Sequence, residues 1–188
     1  MGELLHGLRP ARVVDLACGT GYWMERLEKD GSVAFGCDAC EEMLPVGGRV
    51  VVGDAERLPF ASGIADLVVC SLALGYFPGL ENAFGEMKRV LRPEGHLAIS
   101  DVHPDSLRSG WKRSFRVGPQ VFEMQHLVRD SDEVKRSAAN AGLQLDCEQA
   151  AYFGIEELPI FEQANRAESF AAASNLPALF LARWKKPC

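Results

Sequence analysis

Asp15, Asp38, Asp54, Ser71 and His103 each stand at or near the carboxyl end of a short apolar run, and Gly19 and Gly21 follow the first of them. Such residues at strand exits are what a small polar ligand needs. Gly19 and Gly21 carry no Cβ to keep a ligand from the backbone. The helical stretch Tyr22–Lys29 behind them would aim its free N–H groups at that ligand. Asp38 falls 17 residues after Gly21, where a carboxylate can accept both hydroxyls of a ribose in charge-assisted bonds. A dinucleotide asks for a further glycine at position 24. Met24 stands there instead, where its side chain would crowd a pyrophosphate turn.

The elements that must hold these residues alternate between strand and helix. Strands are expected at Arg12–Ala17, Ser32–Cys37, Gly48–Gly53, Ile64–Ser71 and His96–Val102, with helices at Tyr22–Lys29, Cys40–Leu44 and Leu80–Leu91. Continuous apolar runs such as Leu67-Val68-Val69-Cys70 suit strands covered by helices on both faces. This alternation predicts an α/β chain with a parallel, doubly wound sheet. In such a sheet ligands bind at the carboxyl ends of the strands, where strand order reverses. The last third changes character. Gln120–Val128 reads as an extra strand, and Asp130 with Glu133 three residues on reads as a capping box opening a helix through Ala141, ended by Gly142. Leu143–Cys147 and Ala178–Trp184 read as closing strands, with residues 154–174 mostly helical and broken near the front by Pro159.

Composition bounds the partners. The 188 residues are 47% hydrophobic and 24% charged, with a formal net charge of −6, and fit one domain. The nearest thing to a basic cluster, Arg108-x3-Lys112-Arg113-x2-Arg116, is short and interrupted by Trp111 and Phe115, so no nucleic-acid partner is expected. Apolar stretches are broken well before the length of a membrane span. The opening Met-Gly-Glu-Leu-Leu-His lacks a secretory signal, and His6 fails the myristoylation pattern, so a cytoplasmic protein is expected. Of the six cysteines, Cys18, Cys37 and Cys70 lie in or beside strands as small apolar residues. Cys37-x2-Cys40 has metal spacing, but no second pair or nearby His completes a zinc set; no metal is expected and the thiols are expected to be reduced.

Asp15-x-Ala17-x-Gly19-x-Gly21 resembles motif I of the class I S-adenosylmethionine-dependent methyltransferases. Three further segments extend the resemblance: Gly53-Asp54-Ala55-Glu56-Arg57-Leu58-Pro59-Phe60, Ala65-Asp66-Leu67-Val68-Val69 with Ser71-Leu72, and Glu86 through Arg92-Pro93-Glu94-Gly95. Together they resemble the type 11 small-molecule methyltransferases grouped with the ubiquinone and menaquinone biosynthesis enzymes, closely over 12–102 and loosely from 130 onward. The resemblance implies a Rossmann-like, mostly parallel seven-stranded sheet whose last strand is antiparallel, with a small insert after the fifth strand. It divides the chain into a cofactor half, 12–102, an insert near the acceptor, 103–130, and C-terminal helices and closing strands, 131–188. It implies S-adenosylmethionine as cofactor and S-adenosylhomocysteine as product. By that resemblance Asp15, Ala17, Gly19 and Gly21 hold the methionine end, and Asp38 the ribose. Ala39 packs the adenine, Asp54 and Ala55 bind its edge, and Ser71 closes the pocket. S-adenosylmethionine has no phosphate, which suits a loop without basic residues and an acid near the ammonium.

The expected reaction is methyl transfer to O, N or C of a small-molecule acceptor. His103 and His126 are the candidate general bases, needed only if the acceptor must lose a proton. Trp111, Arg113 and Arg116 in the insert could recognise a planar or anionic acceptor by stacking and charge. The family's first motif glycine is Ala17 here, and only about 11 residues precede the first strand, where the family usually carries a longer helical cover. A cover from elsewhere, such as a second subunit in a homodimer, is one reading. The alternative is a cofactor-binding or regulatory protein that keeps the fold without turnover.

Overall fold

The computed structural model describes residues 1–188. Its centre is a seven-stranded sheet in the order β3-β2-β1-β4-β5-β9-β8. The strands are β1 (Arg12–Leu16), β2 (Val33–Asp38), β3 (Val50–Val52), β4 (Ala65–Ser71), β5 (Leu91–Val102), β8 (Gln144–Ala151) and β9 (Leu179–Lys185). β9 runs antiparallel to both β5 and β8, and the pairs among β1 to β5 are parallel. Strand order reverses between β1 and β4, so the exits of those two strands flank the switch point.

Helices cover both faces. α1 (Gly2–Leu5) and α2 (Tyr22–Lys29) pack on one side, where Leu4, Leu27 and Met24 meet Val13, Leu67 and Val69. α3 (Leu80–Val90) and α5 (Ser131–Asn140) pack on the other, where Phe84, Met87 and Val134 meet Val14, Leu16 and Val68. Neighbouring strand residues therefore enter opposite cores, as a period of two requires. The Met24 sulfur lies 3.9 Å from a Cβ position on Gly21, at the back of the turn. Met24 is buried under α2, and a Cβ on Gly36 would collide with its sulfur.

Several boundaries differ from the sequence expectation. Gln120–Val128 is not one strand: a separate hairpin forms from β6 (Ser114–Val117) and β7 (Gln120–Glu123), turning at Gly118-Pro119, and residues 124–130 are irregular. α4 (Pro104–Arg108), unforeseen, follows β5 directly. The Cys40–Leu44 helix is a single 3-10 turn over Glu41–Met43. β5 starts at Leu91, five residues early, because Leu91 pairs with Ala65 of β4; Arg92–Gly95 then bulge out of that ladder, with Glu94 and Gly95 bonding to Lys186 just beyond β9. Residues 154–174 are mostly helical, as expected: 3-10 turns at Ile155–Glu157 and Ala167–Ser169 lead into the short helices α6 (Leu158–Gln163) and α7 (Phe170–Ser174), with Asn165 at φ 53° between them. Pro159 sits in the first turn of α6, where its missing N–H costs nothing, so it starts that helix instead of breaking it. Asp130 caps α5 through the Asp132 amide at 3.0 Å, while Glu133 pairs with Arg129 at 2.9 Å and leaves the capping box open.

Candidate active site

The glycine turn lies between the exits of β1 and β2. Gly19 and Gly21 adopt φ of 51° and 85°, and Ala17 shares that left-handed region at 55°. For an alanine this conformation is strained by about 1 kcal/mol, a cost the family's usual glycine would not incur. Asp38, leaving β2, accepts the Gly19 amide on Oδ2 at 2.8 Å and the Cys40 amide on Oδ1 at 2.9 Å. Its carboxylate thus sets the turn, and each oxygen keeps a lone pair for a ligand hydroxyl. Met43, which the sequence did not single out, brings its methyl to 3.6 Å from a Gly19 Cβ position and walls the turn on its far side.

Asp15 is the anomaly. Only 2% of it is exposed, its Oδ2 has no partner, and burial pushes its carboxyl up to about 7. The Met24 amide in the first turn of α2 opposes that rise, and the negative charge of Asp38 adds to it. An orphaned buried acid beside a glycine turn is a place for a cation. The residues present therefore fit a ligand with an ammonium end and a ribose.

The residues expected on the adenine side come from two loops. Ala39 is exposed after β2. Asp54 is held in an Asx turn by the Glu56 amide at 2.9 Å, with Ala55 buried beside it. α3 clamps this loop from below. Glu86 accepts the Leu58 amide at 2.7 Å, and Arg89 donates to the carbonyls of Leu58 and Phe60 at 3.0 and 2.8 Å. Ser71 exchanges a hydroxyl bond with Ser100 on β5 at 2.8 Å, so it stitches the exits of β4 and β5.

Those two exits are covered by the insert. Arg113 is paired with Asp101 at the end of β5, donates to the Leu72 carbonyl at 2.6 Å, and lies 5.1 Å over the Tyr76 ring. Its side chain is 12% exposed, so it is neither a solvated loop residue nor free to meet a ligand. Leu72 holds φ 58°, a rare conformation for a bulky side chain. Asp101 is 8% exposed, and burial raises its carboxyl pKa against the pull of Arg113. Neither Asp101 nor Tyr76 was singled out from sequence. Asp101 falls near the end of the expected His96–Val102 strand, but its partner lies 12 residues on in an insert without periodicity. Over the exits of β4 and β5 lies the chain's own insert.

The two histidines differ in the nitrogen they leave free. His103 caps α4: its Nδ1 accepts the Asp105 amide at 3.2 Å, which puts the proton on Nε2. His126 turns Nδ1 to the Met124 carbonyl at 3.1 Å, which requires Nδ1 to donate and leaves Nε2 as a lone pair. His126 and Asp101 border the same small cavity beside Gly75. Trp111 stacks on Phe153 at 5.5 Å, and Arg116 is exposed on β6. Cys37 is buried and Cys40 is exposed beside Glu42, so the Cys-x2-Cys pair does not share an environment. Burial raises the thiols of Cys18 and Cys37 to about 12 and about 11, which makes them inert.

A model of the methyltransferase domain (type 11) matches residues 14–99. Over those residues the chain is similar to the class I S-adenosylmethionine-dependent methyltransferases of type 11. It is 40% identical over 102 residues to a demethylmenaquinone methyltransferase of Beutenbergia cavernae, covering 50% of this chain and 42% of that one. It is 31% identical over 153 residues to a malonyl-[acyl-carrier protein] O-methyltransferase of Geobacter sulfurreducens, covering 73% and 57%. The chain thus spans about half the length of these curated relatives. A solved S-adenosylmethionine-dependent methyltransferase from Mesorhizobium loti shares the fold, with a TM-score of 0.71 over 98% of this chain and 96% of that one at 18% identity. The seven-stranded sheet with one antiparallel strand, β9, is the Rossmann-like methyltransferase fold. No helix is long and apolar enough to cross a membrane.

Proposed function

We infer that the chain transfers a methyl group from S-adenosylmethionine to a small-molecule acceptor. The observation that carries this reading is Asp15, a buried acid with an unpartnered oxygen beside a glycine turn that holds no basic residue. Such a turn suits the ammonium of a methionine end and opposes the pyrophosphate of a dinucleotide. When bound, S-adenosylmethionine supplies a methyl group activated by a sulfonium. The chain's own residues position and enclose. Asp38 accepts the ribose hydroxyls, and Asp15 takes the ammonium. Ala39 lies against the adenine, and Asp54 with the Ala55 backbone meets its edge. Arg113 and Tyr76, over the exits of β4 and β5, exclude water from the acceptor end, where an in-line displacement depends on alignment. Where the acceptor must lose a proton, His126 Nε2 is the group placed to take it.

The test is calorimetric titration with S-adenosylhomocysteine and with NAD. Saturable binding of the first and none of the second supports the reading; the reverse pattern sinks it. One observation favours a cofactor-binding protein without turnover: Arg113 occupies the acceptor end through three contacts. Under that second reading, opening the cover by Arg113→Ala would yield no turnover on any acceptor panel.

A further inference from the structure

A cleft of about 780 Å³ lies between the insert and the α6–α7 segment, within the size range of small-molecule sites. Its apolar lining includes Trp111, Val121, Phe153, Phe161 and Leu176. The aromatic rings form a continuous series: Trp111 stacks on Phe153, Phe153 meets Phe161 edge-on at 5.1 Å, and Phe161 meets Phe170 at 5.4 Å. Both walls spring from the carboxyl edge of the sheet, one following β5 and the other joining β8 to β9. The Trp111–Ser114 segment links the cleft to the exits of β4 and β5. Trp111, Lys112 and Ser114 line the cleft, while Arg113, in the same segment, turns to Leu72 and Asp101.

Charge at the cleft is one-sided. Lys112 is neutralised by Glu123 at 2.6 Å, and both line the cleft. Arg166 lines it too and forms no ion pair or side-chain hydrogen bond. Arg116, likewise unpaired, shares a hairpin face with Ser114, Val121 and Glu123, the hairpin residues that line the cleft. We propose that this cleft binds the acceptor, and that the acceptor is an amphipathic anion whose apolar body lies along the aromatic series with its carboxylate on Arg166. The assignment to the acceptor rests on the methyl-transfer reading above; the ligand chemistry rests on the cleft alone.

The test uses 1-pyrenebutyrate and its uncharged counterpart 1-pyrenebutanol, with binding followed by pyrene anisotropy. The wild-type chain binds the carboxylate about tenfold tighter than the alcohol, the worth of one charge-assisted hydrogen bond. Arg166→Gln removes that preference and leaves the alcohol affinity unchanged. Ala172→Phe, which fills the cleft from an exposed position without removing any packing, weakens both probes at least tenfold. The proposal is overturned if Arg166→Gln keeps the preference, or if Ala172→Phe leaves both affinities at the wild-type level. S-adenosylhomocysteine affinity, measured separately, is unchanged in Arg166→Gln. A chain that binds no S-adenosylhomocysteine but shows the Arg166-dependent preference keeps the cleft ligand and loses the methyl-transfer reading. The opposite pair of results keeps methyl transfer and discards the cleft ligand.

Discussion

Asp38 Oδ2 accepts the Gly19 amide at 2.8 Å, a bond that fastens the glycine turn after β1 to the exit of β2. One carboxylate therefore shapes the turn and, in the proposed reading, takes the ribose hydroxyls. Asp38→Ala should lose both the fastening and the hydroxyl contacts, lowering S-adenosylhomocysteine affinity about 100-fold, or two charge-assisted hydrogen bonds. Asp38→Asn, which keeps one acceptor oxygen, should lose about tenfold. Calorimetry on the two variants checks this, and equal losses would show that charge alone matters.

Asp15 should make both stability and cofactor binding depend on pH. Its folded pKa of about 7 lies above the ordinary value of 3.8, so the folded chain holds a proton that the unfolded chain releases. Stability must then fall as pH rises from about 4 to about 7, by a few kcal/mol, and level off above that. Asp15→Asn should flatten this fall in urea unfolding curves. A bound ammonium favours the charged carboxylate, so S-adenosylhomocysteine affinity should rise toward pH 7 and plateau beyond it. In Asp15→Asn that rise should vanish and affinity should drop at neutral pH.

Arg113 and Asp101 form a pair taken almost wholly out of water. Removing the guanidinium alone leaves a buried carboxyl uncompensated, so Arg113→Leu should destabilise the chain by about 3 kcal/mol. Adding Asp101→Asn should recover a good part of that loss, because no buried charge remains. Chemical denaturation of the two single variants and the double variant measures the coupling.

The histidines should separate into a structural and a chemical role. His103→Ala removes an N-cap and should cost about 1 kcal/mol, restored by His103→Asp. His126→Ala should leave stability nearly unchanged. With phenol or thiol acceptors it should lower kcat about 100-fold. A rate kept in His126→Ala and lost in His103→Asp would reverse the two assignments.

The cofactor half is legible in the sequence because burial writes itself into residue type there. Val13-Val14 and Leu67-Val68-Val69-Cys70 are apolar without a break since helices cover both faces. The hairpin leaves no such imprint: every residue from Ser114 to Glu123 is exposed, so nothing forces alternation. Its local signal is Gly118-Pro119, a turn pair immediately before the segment read as a strand. The cap at His103 was also within reach, because Pro104 at a helix start marks the residue before it as the N-cap. The Arg113–Asp101 pair was not, since no local pattern specifies which of several exposed-looking arginines folds back over the strand exits.

β9 follows β8 in the chain yet lies between β5 and β8 in the sheet. β8 has no other strand partner, so it cannot join the sheet until Leu179–Lys185 has been synthesised and inserted. During translation the cofactor half can assemble around β1 and β4 as soon as β5 has left the ribosome, whereas the aromatic cleft closes only at the end. A nascent chain stalled before residue 179 should therefore carry a formed glycine turn beside an open, apolar edge on β5, and that edge is where a chaperone would be recruited.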